Sequence, residues 1–238
     1  MRTIKLLFVF IIIATSVTAQ ENNISEKQGS KKDNLRDRNY LIAFLDTIWH
    51  AEQDPIRSRD AMIEKYGADS EQMEHFQKIY KKNHVENERK IRYLLDTYGW
   101  PEKELSGDMG NWTICNVIQH ADNDIRLKYL PMMRQAVADK RLEARFLVRA
   151  EDRIATERGD LQIYGGQMKY YPETKTFNVW PVYDPVNIDK RRAKLGLEPI
   201  APFLKRRFNF EWNLEEQLKR TEAFEKEKQN KKKEINAN

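Results

Sequence analysis

The sequence predicts a mainly α-helical fold, a single helical domain with one small antiparallel β-hairpin packed on the helices. Apolar residues recur at three- and four-residue spacing through most of the 238-residue chain, which is typical of amphipathic helices. The pattern changes between residues 162 and 182, where aromatic and β-branched residues flank a Pro-Glu-Thr-Lys turn. Because an isolated hairpin of this size is unstable, we expect it to pack on the helices.

The first nineteen residues have the three parts of a secretory signal peptide. Arg2 and Lys5 give a positive start, residues 6–14 form an unbroken apolar run, and small residues lie near Ala19 at the spacing of a cleavage site. The apolar run is too short to span a membrane. We therefore expect cleavage near Ala19, no membrane span after cleavage, and a periplasmic or secreted protein.

The remaining chain is predicted to be one folded domain, residues 39–210, between two polar segments. Residues 20–38 are predicted to be a flexible lead-in, and residues 211–238 a charged helix or tail with few apolar side chains. Loss of Arg2 and Lys5 with the signal peptide would lower the formal net charge from +5 to +3. This small excess lies largely in the tail, so we expect no nucleic-acid binding.

Prolines, glycines and capping residues indicate where the helices begin and end. The first amphipathic helix has its apolar residues at positions 41–49 and is expected to break or restart at Pro55. The second is expected to be capped by Asp69 or Ser70 and to end at Gly99.

Further along the chain, the helix that carries His120 is expected to have Asn111 or Thr113 as its N-cap. Pro131 is expected to begin another helix, and residues 143–157 form the next.

The C-terminal part combines the hairpin with short helices. Residues 189–195 are predicted to form a short helix, and Asn213 is expected to cap the last helix. Across the hairpin near residues 162–182, the expected pairing partners are Met168 and Tyr170 with Phe177 and Val179.

Cysteine content and the absence of signature motifs narrow the possible functions. Cys115 is the only cysteine, which excludes an intramolecular disulfide, and its apolar neighbours predict a buried, inert thiol. No phosphate-binding loop, dinucleotide fingerprint, HExxH, paired CxxC or GxSxG motif is present. No metal site is predicted, and the cofactor, if there is one, stays unknown.

Three polar clusters are candidates for chemistry. In the first, His120 and Asp124 are four residues apart, so the carboxylate could orient the imidazole as a general base requires; a histidine bonded to its own helix end is the alternative. In the second, Asp152 and Arg153 follow Arg149, and the pattern fits either an ordinary helical ion pair or a carboxylate beside a pocket.

The third cluster is the segment Gln-Ile-Tyr-Gly-Gly-Gln at residues 162–167. Two glycines inside a strand pattern indicate a tight turn or a place where a ligand or another part of the chain comes close. The flanking Gln162 and Gln167 supply amide groups, and Tyr164 supplies a hydroxyl. Both interpretations, the ligand contact and the turn, stay open at this point.

Five motifs occur in an order that resembles one bacterial family, the domain of unknown function 6624 (DUF6624), over residues 41–204. They are GWP at 99–101, IQHAD at 118–122, EDRI at 151–154, QIYGGQ at 162–167 and VNIDKRRAKLGLEPI at 186–200. The resemblance implies a mostly helical, often exported domain, and it implies no established activity, substrate or cofactor. The family-pattern positions that it marks are Gln119, His120, Asp152, Arg153, Gln162, Tyr164, Gly165 and Gln167. Where the family pattern has an Asp-Gln pair before an arginine, this chain has Glu52-Gln53-Asp54 and then Arg57.

Three hypotheses about function follow. The first is a ligand-binding or interaction module whose partner is an unknown small molecule or protein, with Gln119, Gln162, Tyr164, Gly165 and Gln167 as ligand-binding residues. The second is a water-dependent hydrolase with His120 as general base and Asp152 as its orienting carboxylate or a second acid/base group. In it, Arg153 or the backbone N–H groups of Gly165 and Gly166 would stabilise the oxyanion. The third is a purely structural hydrogen-bond network.

Overall fold

The computed structural model describes residues 34–172 and 175–237 of the chain. Over these ranges the protein is mainly α-helical with a two-stranded antiparallel sheet, which confirms the predicted fold class. The helices are α1 (Arg38–Tyr66), α2 (Glu71–Tyr98), α3 (Lys103–Ser106), α4 (Gly110–His120), α5 (Asn123–Ala138), α6 (Ala144–Glu157), α7 (Ile188–Ala193), α8 (Ile200–Phe208) and α9 (Leu214–Ala237). The strands are β1 (Met168–Tyr171) and β2 (Thr176–Val179), and a 3₁₀ turn covers Pro185–Asn187.

The predicted signal peptide, residues 1–19, lies outside the described residues, as do residues 20–33 of the predicted lead-in. Within the described part of the lead-in, Leu35 packs in the core and the Asp37 carboxylate accepts a hydrogen bond of 2.9 Å from the Tyr40 N–H at the start of α1. Among the described helices, none has the combination of length and apolar character that a membrane span needs.

The main core lies inside the bundle that α1 and α2 form with α4, α5 and α6. α1 and α2 are joined by a short connection and pack along each other, and α4 is inserted against both. Each helix contributes an apolar stripe, as the three- and four-residue spacing predicts. The fully buried side chains of this core include Leu41, Leu45, Ile48, Ile91, Leu94, Leu95, Ile114, Ile118, Tyr129 and Met133.

A smaller second core joins the hairpin to α7 and α8. Its buried residues are Val179, Val182, Ile188, Ile200 and Leu204. The last helix, α9, is attached to this part by polar contacts as well as by packing. Thr221 on α9 donates to the backbone carbonyl of Val182 at 3.1 Å and accepts from its N–H at 3.3 Å.

Two helices continue through a proline, and the predicted boundaries at those prolines are wrong. Pro55 lies buried within α1, and Pro131 lies within α5, which already begins at Asn123. Each proline removes one helical hydrogen bond. The packing of α1 along α2, and of α5 against α6, holds both helices in spite of that loss.

Capping residues were predicted correctly at two of three places. Ser70 accepts a hydrogen bond from the Met73 N–H at 3.3 Å, and Asn213 accepts one from the Glu216 N–H at 3.1 Å. The predicted caps of α4 are wrong, because α4 begins at Gly110 and has no side-chain cap. Asn111 instead accepts from the Trp100 indole N–H at 2.9 Å and donates to the Arg141 carbonyl at 2.8 Å.

The hairpin has the predicted pairing but shorter strands. Met168 lies opposite Val179 and Tyr170 lies opposite Phe177. Residues 162–167, which carry the strand-like sequence pattern, form a loop instead, and we call this segment the glycine loop. Two residues of the predicted turn, 173 and 174, lie outside the described residues.

Candidate functional site

The carboxylate of Asp152 anchors the glycine loop to α6. Asp152 is fully buried, and its Oδ1 accepts hydrogen bonds from the N–H groups of Ile163 (2.8 Å) and Tyr164 (2.7 Å), while Oδ2 accepts one from Gly166 (2.7 Å). Burial raises the pKa of Asp152 to about 6, although the three N–H groups oppose this shift. Asp152 therefore fixes the loop through its backbone.

Gln162 closes the same loop with its side-chain amide. Its Oε1 accepts from the Gln167 N–H at 2.8 Å, and its Nε2 donates to the carbonyls of Gln167 (3.0 Å) and Trp180 (2.8 Å). Gln162 is fully buried, so these bonds replace the water that the amide loses on folding. The side chain of Gln162 thus supplies the pairing that a continuous strand would have supplied.

Gly165 is required by the packing of the loop against α7 and α8. Its φ is +82°, and an added Cβ would lie 2.6 Å from Ile200 Cδ1 and 3.0 Å from Ile188 Cδ1. The close approach that the two glycines predicted is therefore made by the protein's own side chains. Arg192 on α7 completes the attachment by donating to the Tyr164 carbonyl at 2.7 Å.

A cleft of about 500 Å³ lies between α6, the glycine loop and the α7–α8 segment, and we call it the arginine cleft. Five arginines line it, against three carboxylates, together with aromatic side chains. The arginines are Arg145, Arg149, Arg192, Arg206 and Arg207; the acids are Glu143, Asp152 and Glu198; the aromatic residues are Trp112, Phe146, Tyr164 and Phe203.

Three of the five arginines have partners within the protein. Arg145 forms an ion pair of 3.0 Å with Glu143, and Arg206 pairs with Glu198. Arg192 donates to two backbone carbonyls, those of Tyr164 and Glu198. Since Asp152 is occupied by the loop N–H groups, the carboxylates of the cleft are all engaged.

Arg149 and Arg207 are the two arginines of the cleft that have no hydrogen bond or ion pair within the described ranges. Arg149 is also half-buried. Burial lowers the pKa of Arg149, and the positive charges of Arg207 and Arg153 lower it further. A half-buried guanidinium with cationic neighbours and no counter-ion makes the electrostatic character of this cleft positive.

Another group of polar side chains lies around His120 at the C-terminal end of α4, and we call it the histidine cluster. The His120 ring stands edge-on to the ring of His84 on α2, with centroids 6.4 Å apart. His84 Nδ1 lies 3.0 Å from an Oε atom of Glu52, which is fully buried in α1 and also accepts from Asn87 at 2.9 Å. In this cluster the carboxylate that orients an imidazole is therefore Glu52, and the imidazole is His84.

The two histidines have opposite pKa shifts. For His84, burial favours the neutral form, but the hydrogen bond to Glu52 and its charge outweigh burial and raise the pKa. For His120, burial lowers the pKa to about 4, and the charges of Arg153, His84 and Arg149 add to this effect. His120 is consequently neutral at neutral pH.

The structure distributes the predicted site residues over separate places. Asp152, Gln162, Gly165 and the backbone of Gln167 build the glycine loop, and Tyr164 lies in this loop and lines the cleft.

His120 and Arg153 both lie in the histidine cluster, where Arg153 also pairs with Glu157 at 3.2 Å. His120 and Asp124 do not share a helix, because α4 ends before α5 begins at Asn123. Gln119 is 3% exposed; its carbonyl accepts from Arg126 at 2.9 Å, and its amide atoms have no partner among the described residues.

Glu52, His84 and the arginines of α8 were missed by the sequence analysis. Glu52 and His84 are 32 residues apart on different helices, so no local spacing joins them. One signal was present: Glu52 stands where the family pattern has an acidic residue before a glutamine.

Two further findings concern the described part of the chain. It contains no group of three or more His, Cys, Asp or Glu side chains that could hold a metal ion. Cys115 is buried, and burial raises the pKa of its thiol, which agrees with the predicted inert thiol.

Comparison with known proteins gives one match. A family model described as a family of unknown function, DUF6624, matches residues 48–210. No curated protein and no solved structure matches the chain.

Proposed function

Since the chain belongs to the DUF6624 family, whose function is unknown, we propose a function from the cleft itself: the protein binds an anionic small molecule in the arginine cleft. The observation that carries the proposal is Arg149, a half-buried guanidinium that lacks a counter-ion among the described residues. Burying part of an unpaired charge costs free energy, and a bound anion would offset that cost.

The size and chemistry of the cleft support a small-molecule ligand. Its volume of about 500 Å³ lies in the range of small-molecule sites, which are concave, largely apolar and carry a few fixed polar groups. Guanidinium groups bind carboxylate and phosphate oxygens with two parallel hydrogen bonds. Arg149 lies on α6 and Arg207 on α8, so their charges reach the cleft from opposite walls.

The proposed site of action is the periplasm or the extracellular space. The support is the signal-peptide pattern of residues 1–19, with expected cleavage near Ala19. N-terminal sequencing of the protein recovered from the periplasm and the medium tests this expectation. A first residue of Gln20 supports export, whereas an intact leader on cytoplasmic protein contradicts it.

Calorimetric titration with inorganic phosphate and with sulfate tests the binding proposal. The wild-type protein is expected to bind at least one of these probes, and Arg149→Gln to weaken the affinity by about tenfold or more, since a charge-assisted hydrogen bond is lost. Arg89→Gln is the matched control, because Arg89 is exposed on α2 and pairs with Glu86 outside the cleft. Equal affinity in the two variants, or no binding of either anion, contradicts the proposal.

A water-dependent hydrolase with His120 as general base is the second candidate. One observation favours it: the Glu52–His84 pair lies directly beside the His120 ring, and Arg153 adds a positive charge there. Asp152 does not have the predicted role of orienting His120 in this mechanism, because its carboxylate binds the N–H groups of the glycine loop. Hydrolysis of p-nitrophenyl acetate and p-nitrophenyl phosphate, compared with His120→Ala, is the test. Equal rates for the two proteins would exclude this mechanism.

The structural hypothesis now applies to part of the predicted site. Asp152 and Gln162 have their hydrogen bonds within the glycine loop and its neighbours, so we assign them a structural role. Their substitution is expected to change stability and, through the cleft wall, the ligand affinity.

A further inference from the structure

The aromatic wall of the arginine cleft lies beside its charged wall. Trp112 on α4 lines the cleft and is 37% exposed, although it packs edge to face on Phe146 with ring centroids 5.1 Å apart. Phe203 on α8 also lines the cleft and is only partly buried. The cleft therefore leaves an indole and a phenyl ring open to solvent.

Guanidinium groups lie close to these rings. The Arg145 guanidinium lies 4.8 Å from the centroid of Trp112 and 4.9 Å from that of Phe146. On the other wall, the Arg192 guanidinium lies 4.5 Å from the centroid of Phe203. A cleft lined by both guanidinium groups and aromatic rings favours a flat aromatic ligand, because a planar ring gains contact with both kinds of group.

The cleft is also much larger than a simple anion. An inorganic phosphate or sulfate ion has only five non-hydrogen atoms, and a water molecule takes about 30 Å³ of liquid volume. An ion of that size would fill a small part of about 500 Å³ and would leave the aromatic wall bare. A ligand that fills the cleft must carry an apolar part in addition to its charge.

We propose that the arginine cleft selects a planar aromatic molecule that bears an anionic group, with the ring against Trp112 and the anion at Arg149. This inference rests on the proposed function and adds the class of ligand to it. Aryl phosphates and aromatic carboxylates share the required chemistry, and phosphate probes are chosen for the test because they can be compared at one charge.

The experiment compares three probes on the full chain by calorimetric titration: inorganic phosphate, cyclohexyl phosphate and phenyl phosphate. Phenyl phosphate is expected to bind about fivefold or more tightly than cyclohexyl phosphate, which carries a ring of similar size without the aromatic face. Equal affinity of these two organic phosphates overturns the aromatic preference, while their binding keeps the proposed function.

Variants separate the two parts of the site. Trp112→Leu is expected to remove the preference for phenyl phosphate over cyclohexyl phosphate. Arg149→Gln is expected to weaken both probes. Trp212→Leu is the matched control, since Trp212 packs on the second core and does not line the cleft.

Circular dichroism and a thermal melt show whether each variant folds, and Trp112→Tyr, which keeps an aromatic ring, is measured beside Trp112→Leu. Retention of the phenyl preference by folded Trp112→Leu contradicts the proposed place of the ring. Loss of the preference in Trp112→Tyr as well as in Trp112→Leu assigns the recognition to the indole itself.

Discussion

The carboxylate of Asp152 and the N–H of Gly166 are joined by a hydrogen bond of 2.7 Å, and an added Cβ at Gly166 would lie only 3.1 Å from the same oxygen. Asp152 reaches this N–H from α6, 14 residues earlier in the chain. The glycine loop therefore closes on a buried charge that the protein itself provides.

Asp152→Asn is expected to destabilise the protein by about 1–3 kcal/mol. The asparagine amide keeps one oxygen for the N–H groups of Ile163 and Tyr164, but it places an NH2 group where Oδ2 accepts from the Gly166 N–H, so this donor would lose its partner. Urea denaturation measures the change in the free energy of unfolding. Asp124→Asn, at an exposed position on α5, is the control and is expected to have no effect. A loss below about 1 kcal/mol would show that the loop does not depend on this carboxylate.

Gly165→Ala is expected to cost more stability than Gly159→Ala. Both glycines have positive φ, at +82° and +69°, so both substitutions carry backbone strain of about 1 kcal/mol. Only at Gly165 does the new Cβ meet a neighbour, Ile200, and overpacking adds about 1–3 kcal/mol. Thermal and urea denaturation of the two variants give the difference. Equal losses would mean that Ile200 moves aside without cost.

The two neighbouring histidines are expected to titrate on opposite sides of the ordinary value of about 6.5. NMR titration of the ring protons should place the pKa of His84 above that value and the pKa of His120 near 4. Glu52→Gln removes the charge that holds the proton on His84 and is expected to lower the pKa of His84. An unchanged His84 titration in that variant would contradict the assigned pairing.

The raised pKa of His84 also predicts how stability depends on pH. Its contribution is fully present below the unfolded pKa of about 6.5 and is lost as the pH rises through the higher folded value. His84→Gln is therefore expected to destabilise the protein more at pH 6 than at pH 9. His75→Gln, at an exposed position of α2, is the control in denaturation at both pH values. A larger loss at pH 9 would reverse the sign that the Glu52 pair requires.

Arg149→Met is expected to stabilise the ligand-free protein by about 0.5–2 kcal/mol and to weaken anion binding as Arg149→Gln does. The substitution keeps a long side chain but removes a half-buried charge that has cationic neighbours. Differential scanning calorimetry without added anions measures the gain, with Arg89→Met as control. A clear loss of stability would mean that Arg149 supports the fold and is not reserved for a ligand.

The sequence predicted the fold class, the hairpin register and most helix ends because these depend on local patterns. Ser70 and Gly99 act within one helical turn, and Met168 faces Val179 because the strands alternate around a short turn. The prolines at 55 and 131 show the limit of local reasoning: helix packing, which the sequence does not display, outweighs the local cost of a proline.

The site was less accessible to sequence reasoning because its parts come from distant segments. Arg149 and Arg207 meet in one cleft although they are far apart in the chain, and Glu52 finds His84 on another helix. Asp152 was predicted to be a catalytic residue, but its partners are backbone N–H groups, which have no sequence signature. The ordering of the loop by a side chain can be read only from the folded structure.

The arginine cleft lies along the line where the two cores of the protein meet. Phe146 on one wall belongs to the main core, and Phe203 on the other packs on the second core. A molecule that touches both walls therefore acts as a cross-link between two separately packed units. Its binding should therefore slow amide hydrogen exchange in α7 and α8, because a ligand that contacts both walls lowers the population of states in which the walls separate.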